Sequence, residues 1–194
     1  MFPEKPTARA DLKPGTLYAI AGERGWIYYG QTTSEKSVGF FQRRDREPVD
    51  ADSVLAAPVM SIITISYPSI TRALRAGRWK KLGRYPVANG LVEPHPSVRW
   101  SAGTLAVSVW IGNGPAWETR VDDPAIQEME LMAVWDAEQH LPARLTADFG
   151  EEEAEWHVGG PIRRERRIKE ERAARWPDQP WNQLPPDWVS TNVS

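Results

Sequence analysis

Val59-Met60-Ser61-Ile62-Ile63-Thr64-Ile65 is the most apolar run in the chain. Its seven residues are rich in β-branched side chains, which pack well on a pleated surface and favour a strand. Apolarity on both alternating faces predicts a central strand buried on each side. Pro68-Ser69-Ile70 then opens a short helix, with Ile70, Ala73 and Leu74 on one face and Arg72 and Arg75 elsewhere. Gly77 is the expected stop, since glycine tolerates the left-handed conformation that ends a helix. From Trp79 to Tyr85 the pattern returns to strand, with Trp79, Leu82 and Tyr85 as large anchors ahead of Pro86.

Upstream, Thr16-Leu17-Tyr18-Ala19-Ile20 and Trp26-Ile27-Tyr28-Tyr29-Gly30 are two strands around Gly22 and Gly25, the composition of a hairpin. Lys36 to Phe41 is a third strand, and Gln42 to Glu47 a charged loop. Downstream, Ser97 to Trp100 is a short strand. Leu105, Val107 and Val109 alternate with Thr104, Ala106 and Ser108, the period of a half-buried strand. Gly112-Asn113-Gly114 turns the chain into a return strand from Trp117 to Val121. Asp123-Pro124 has the chemistry of a helix start, and spacing through Ile126, Met129 and Trp135 predicts a helix from Asp123 to Gln139. Pro142 restarts a shorter helix ending at Gly150, and Ile162 to Trp176 reads as a strongly charged helix.

The fold class is therefore α+β: an antiparallel sheet of about six to eight strands with packed helices and an extended C-terminal tail. Three regions follow. Residues 1–11 are expected to be disordered, residues 12–150 to form the α+β domain, and residues 151–194 to be an extension of charged helix and Pro/Trp-rich tail. Trp181 and Trp188 in that tail are candidate pegs. Ten tryptophans in 194 residues are far more than a core of this size needs, so an exposed one is a candidate interface anchor.

Cysteine is absent, which excludes disulfides, thiolate nucleophiles and Cys-based zinc sites. Met1 to Ala10 lacks the apolar core of a secretory signal, and no window approaches the ~18 apolar residues needed to cross a bilayer. The expected compartment is the cytoplasm, without membrane contact.

The net charge of −2 conceals a strong asymmetry. Residues 1–117 carry 15 basic and 9 acidic groups, residues 118–155 carry 2 and 12, and residues 161–175 carry 7 and 3. An acidic block of that density, gathered on one face, attracts a basic protein surface and repels nucleic acid.

Candidate chemistry is sparse. His95 lies between Pro94 and Pro96 without a Ser or Asp at an interpretable spacing. Glu138 with His140, and Glu151 to Glu153 with His157, match no metal spacing. No metal and no cofactor is expected. Arg163-Arg164-Glu165-Arg166-Arg167-Ile168-Lys169 suits phosphates, but Glu165, Glu170 and Glu171 interrupt the run and the acidic block opposes a polyanion. Docking of this helix on residues 118–155 accounts for both runs.

Three segments together resemble the immunity protein 26 family of bacterial polymorphic toxin systems. They are Lys13-Pro14-Gly15-Thr16-Leu17-Tyr18-Ala19-Ile20 followed by Gly25-Trp26-Ile27-Tyr28-Tyr29-Gly30, then Ser37-Val38-Gly39-Phe40-Phe41, then Gly77 to Val87 with Trp79, Leu82, Gly83 and Pro86. The resemblance spans roughly residues 12–150 and has no counterpart beyond. It implies an intracellular antidote that binds a cognate toxin domain and has no enzymatic activity. It assigns no contact residues. Charge alone nominates Glu151, Glu152, Glu153 and Glu155 as partner-facing. The alternatives are a nucleic-acid-binding module using the Arg-rich helix 163–175, and a hydrolase using His95 or His157.

Overall fold

The structure, a computed structural model, describes residues 1–154 and 159–191. In chain order its strands are β1 (Thr16–Ala21), β2 (Ile27–Thr32), β3 (Val38–Asp45), β4 (Val59–Ile65), β5 (Trp79–Arg84), β6 (Pro96–Trp100), β7 (Ala106–Ile111), β8 (Gly114–Arg120), β9 (Glu130–Leu131) and β10 (Val134–Trp135). Its helices are α1 (Ala51–Leu55), α2 (Tyr67–Arg75), α3 (Leu141–Phe149) and α4 (Ile162–Arg175). The fold is α+β, as expected, but with two sheets rather than one: a six-stranded sheet in the order β10-β4-β3-β2-β1-β5, and a four-stranded sheet in the order β8-β7-β6-β9. The chain divides into two units. Met1–Pro94 with Ala133–Val158 carry the larger sheet, and His95–Met132 with Gly159–Ser194 the smaller. This division differs from the one drawn at residue 150.

In the first unit, β1, β2, β3, β4 and β5 pair antiparallel, and short β10 joins β4 in parallel. One face of the sheet presents Tyr18, Ile20, Tyr28, Phe40, Ile63 and Ile65 to Ile70 and Leu74 of α2 and Leu141 and Leu145 of α3. The opposite face packs Leu17, Ala19, Tyr29 and Phe41 against Val54 of α1 and Leu91. The strands covered on both sides are thus β1 and β2, which are buried almost throughout. β4 corrects the expectation: Ser61, Ile63 and Ile65 are buried, while Ile62 is half-buried and Thr64 exposed. Next to a two-residue neighbour, β4 has only one well-covered face despite its nearly continuous apolar sequence.

The segment from Pro68 to Pro86 forms as its sequence implies. Ile70, Ala73 and Leu74 of α2 are buried, and Gly77 follows the helix at φ +66°. Trp79 is buried against Tyr18, with ring centroids 5.3 Å apart. Gly77 has a second constraint: a Cβ there would stand 2.2 Å from the Phe2 carbonyl oxygen. That contact belongs to the amino-terminal segment, which is not disordered. Phe2 N–H donates to the Gly77 carbonyl at 2.8 Å, Ala10 N–H to the Thr71 hydroxyl at 3.2 Å, and the Tyr67 hydroxyl to the Ala10 carbonyl at 2.8 Å. Phe2 packs on one core cluster and Ala8 and Ala10 on the other, so a few apolar side chains anchor a polar segment.

In the second unit, β6, β7 and β8 form an antiparallel meander and β9 lies parallel to β6. Val98, Val107, Val109, Val121, Ile126 and Ile162 form its core. The helix expected from Asp123 to Gln139 does not exist. Its cap does: Asp123 accepts from Ala125 N–H at 2.9 Å, with Pro124 behind it, but the result is a single 3-10 turn, Pro124–Ile126. Beyond it, Glu130–Leu131 pair with Ser97 and Val98, and Val134–Trp135 pair with Thr64 and Ile65. Sheet pairing satisfies this backbone in place of helical bonds, overriding the local periodicity.

Candidate functional site

The tail after α4 returns along the helix and encloses a groove of about 570 Å³ in the second unit. One wall is α4, which presents Glu165, Lys169 and Arg172 at the i, i+4, i+7 spacing of a single face. The floor includes Trp100, at the end of β6, and Leu131. The opposite wall and rim come from the tail, including Trp181, Leu184 and Trp188.

These walls are held in place by specific bonds. Trp100 Nε1–H donates to the Thr104 carbonyl at 2.9 Å, and the Trp100 ring stacks on Trp188 with centroids 6.0 Å apart and planes at 18°. Lys169 Nζ lies 4.8 Å from the centre of the Trp100 ring. Glu170 accepts from Trp188 Nε1–H and from Thr191 N–H, both at 2.8 Å, and from the Thr191 hydroxyl at 2.5 Å. Arg166, buried in the helix, reaches the Val189 carbonyl at 2.7 Å. Trp188 is therefore the peg foreseen in the tail. Trp181 is not: it sits in the 3-10 turn Pro180–Asn182 at the groove rim, 78% exposed. A Trp left in water beside ordered aromatic walls is a ready contact for a partner.

The electrostatics of the groove are uneven. The Glu165 side chain is only 17% exposed, and burial raises its pKa against the lowering effect of Lys169 and Arg172. Lys169 Nζ is 4.0 Å from Glu165 Oε1, the outer limit of an ion pair. The side chain of the exposed Arg172 forms no hydrogen bond or ion pair with a described residue.

The acidic residues nominated by charge lie in the first unit. Glu151–Glu153 form a 3-10 turn after α3, a helix tied to β2 by a 2.8 Å bond between the Thr146 and Tyr28 hydroxyls. Glu153 accepts a two-point bond from Arg44 at 2.7 and 3.1 Å. That guanidinium also lies 4.4 Å from the centre of the Trp26 ring and 4.9 Å from that of Phe149. The hydrogen bond from Arg44 holds the Glu153 carboxyl below its ordinary pKa. Glu152 is exposed and Glu151 half-buried, while Glu155 lies outside the described residues. Much of the acidic block is similarly occupied. Asp136 and Glu138 hold Arg72 at 2.8 and 3.0 Å, Asp148 holds buried Arg144 at 2.9 Å, and Glu128 holds Arg163 at 2.8 Å. These are largely internal counterions rather than an acidic face.

The Arg-rich helix is occupied too. Arg163 pairs with Glu128, Arg164 is buried, Arg166 also bonds Gln127 at 2.6 Å, and Arg167 lies 3.6 Å from Glu171. A polynucleotide needs a row of available cations, and this helix presents few. His95 is exposed, and His157 lies outside the described residues. Among the described residues, no group of three or more His, Asp or Glu side chains could hold a metal ion. No described helix is long and apolar enough to cross a membrane.

Sequence reasoning overlooked the groove. Its only sequence signals were the Trp-rich tail and the spacing of Glu165, Lys169 and Arg172 along α4. Comparison with family models, curated proteins and solved structures finds no match to this chain.

Proposed function

We propose that this chain is a cytoplasmic binding protein that neutralises a cognate bacterial toxin domain, and that it holds its partner through the groove beneath Trp181. The observation that carries the reading is the exposed Trp181 above walls already ordered by the Trp100–Trp188 stack and the Glu170 bonds. Pre-ordered aromatic surface lowers the entropic cost of association, and tryptophan is prominent among residues that dominate interface energies. The resemblance of the β1–β2 hairpin, β3 and the Gly77 to Val87 segment to immunity proteins supports the choice of a toxin as partner. The contact favoured here is the groove rather than Glu151 to Glu153, because Glu153 is already committed to Arg44.

The reading predicts a toxin domain encoded beside this chain, and its test is co-expression with that domain, together with calorimetry on the purified pair. The wild type is expected to restore growth and bind one to one. Trp181→Ala is expected to weaken binding by about 30-fold or more, the effect of losing a central aromatic contact. Its thermal melt should not change, because the side chain is mostly in water. An active toxin domain that the wild type neither binds nor neutralises overturns the toxin reading. A Trp181→Ala protein with undiminished affinity removes the groove from it.

A further inference from the structure

We propose that the groove takes a short, extended peptide segment of its partner, with an apolar side chain on Trp181 and a carboxylate held by Arg172 and Lys169. This rests on the reading of the groove as the contact surface and names the chemistry that surface selects.

The volume of about 570 Å³ lies in the range that encloses a drug-sized ligand, which a few residues of extended chain also match. The tail wall contributes Pro180, Leu184 and Pro185, so most of the lining is apolar or aromatic. Aromatic grooves of this type suit segments that are already extended, because little conformational freedom remains to be lost.

The charge arrangement selects the polar part of the ligand. Arg172 and Lys169 lie one turn apart on the groove face of α4, and neither is fully used within the protein. A guanidinium presents paired N–H donors that match the two oxygens of a carboxylate. Glu165, the acid on the same face, is recessed and mostly covered, so the outer groove is positive. Two available cations suffice for one carboxylate. They do not suffice for a nucleic-acid backbone, which needs a longer row of cations.

The test is selection of a random heptapeptide display library on the full chain, followed by calorimetry with the synthetic consensus peptide. The expected consensus places Asp or Glu within two residues of proline or a large apolar residue. Changing that acid to its amide, or Arg172→Glu in the protein, should each weaken binding at least tenfold. Trp181→Ala should do the same, and Arg172→Glu should melt like the wild type because the side chain is exposed. Failure to enrich any peptide, a basic consensus, indifference to Arg172→Glu, or tighter salt-sensitive binding of a ten-residue oligothymidylate would each overturn the proposal. The two readings separate cleanly. If Trp181→Ala abolishes toxin binding but no peptide is enriched, the groove reads a folded surface and only the peptide inference falls. If acidic peptides bind as described but the adjacent toxin does not, only the toxin reading falls.

Discussion

Glu170 is the clasp that closes the groove, and Glu170→Ala tests it directly. The carboxylate accepts three bonds from the tail: Trp188 Nε1–H, Thr191 N–H and the Thr191 hydroxyl. Hydrogen bonds to a charged acceptor are worth about 1.5–3 kcal/mol when buried. These partners are only part-buried, which places each nearer 1 kcal/mol, or about 3 kcal/mol for the three. The stack of Trp188 on Trp100 and the bonds from Arg166 to Val189 and Arg120 to Asp187 remain. The tail should therefore open more often, while the Val98 and Val107 core stays intact. A loss of about 3 kcal/mol in local opening energy corresponds to roughly 100-fold faster amide exchange over residues 188–191. Glu170→Gln keeps an acceptor oxygen but not the charge, and should give an intermediate increase. Hydrogen exchange read by mass spectrometry on the C-terminal peptide measures both. Unchanged exchange in Glu170→Ala would refute the clasp, and an equal increase in β6 and β7 would show that Glu170 supports the whole unit instead.

Two further perturbations probe the first unit. Ile63 is 2% exposed within the Phe40, Ile20 and Leu141 cluster, so Ile63→Asp places an unpaired carboxylate in the core at a cost comparable to a whole domain's stability of about 5–15 kcal/mol. Circular dichroism should show no cooperative melt, and a soluble, cooperatively folding variant would contradict the placement. Glu153 titrates below its ordinary value of 4.5 because Arg44 hydrogen-bonds the charged form. Its stabilising contribution is thus complete above pH 4.5 and declines as pH falls through the lower folded-state value. Urea denaturation as a function of pH should give a shallower decline below pH 4.5 for Glu153→Gln than for the wild type, and identical slopes would exclude the Arg44 pairing.

The strands and stops were legible where the signal is local. Glycine after α2, proline opening α2 and α3, and the alternation along β7 act within a few residues, and those elements form where their sequences indicate. The stretch after Asp123 shows the limit. Its cap is genuine, but periodicity alone could not reveal that Glu130 pairs with Ser97, or Val134 with Thr64. The same limit hid the candidate site. Charge counting made residues 118–155 an acidic face, whereas the fold sets Glu153 on Arg44, 109 positions away, and Glu138 on Arg72, 66 positions away. Composition raised the prospect of an exposed tryptophan without saying which of ten it would be. Sequence by itself determined the α+β class, the strand–helix–strand around Val59 to Tyr85 and the charged helix α4, because these depend on side-chain periodicity and backbone conformation. Only tertiary structure decided which strands are covered on both faces, which charges neutralise one another and that Trp100, Lys169 and Trp181 share a groove, because each of these requires residues remote in the chain to be brought together.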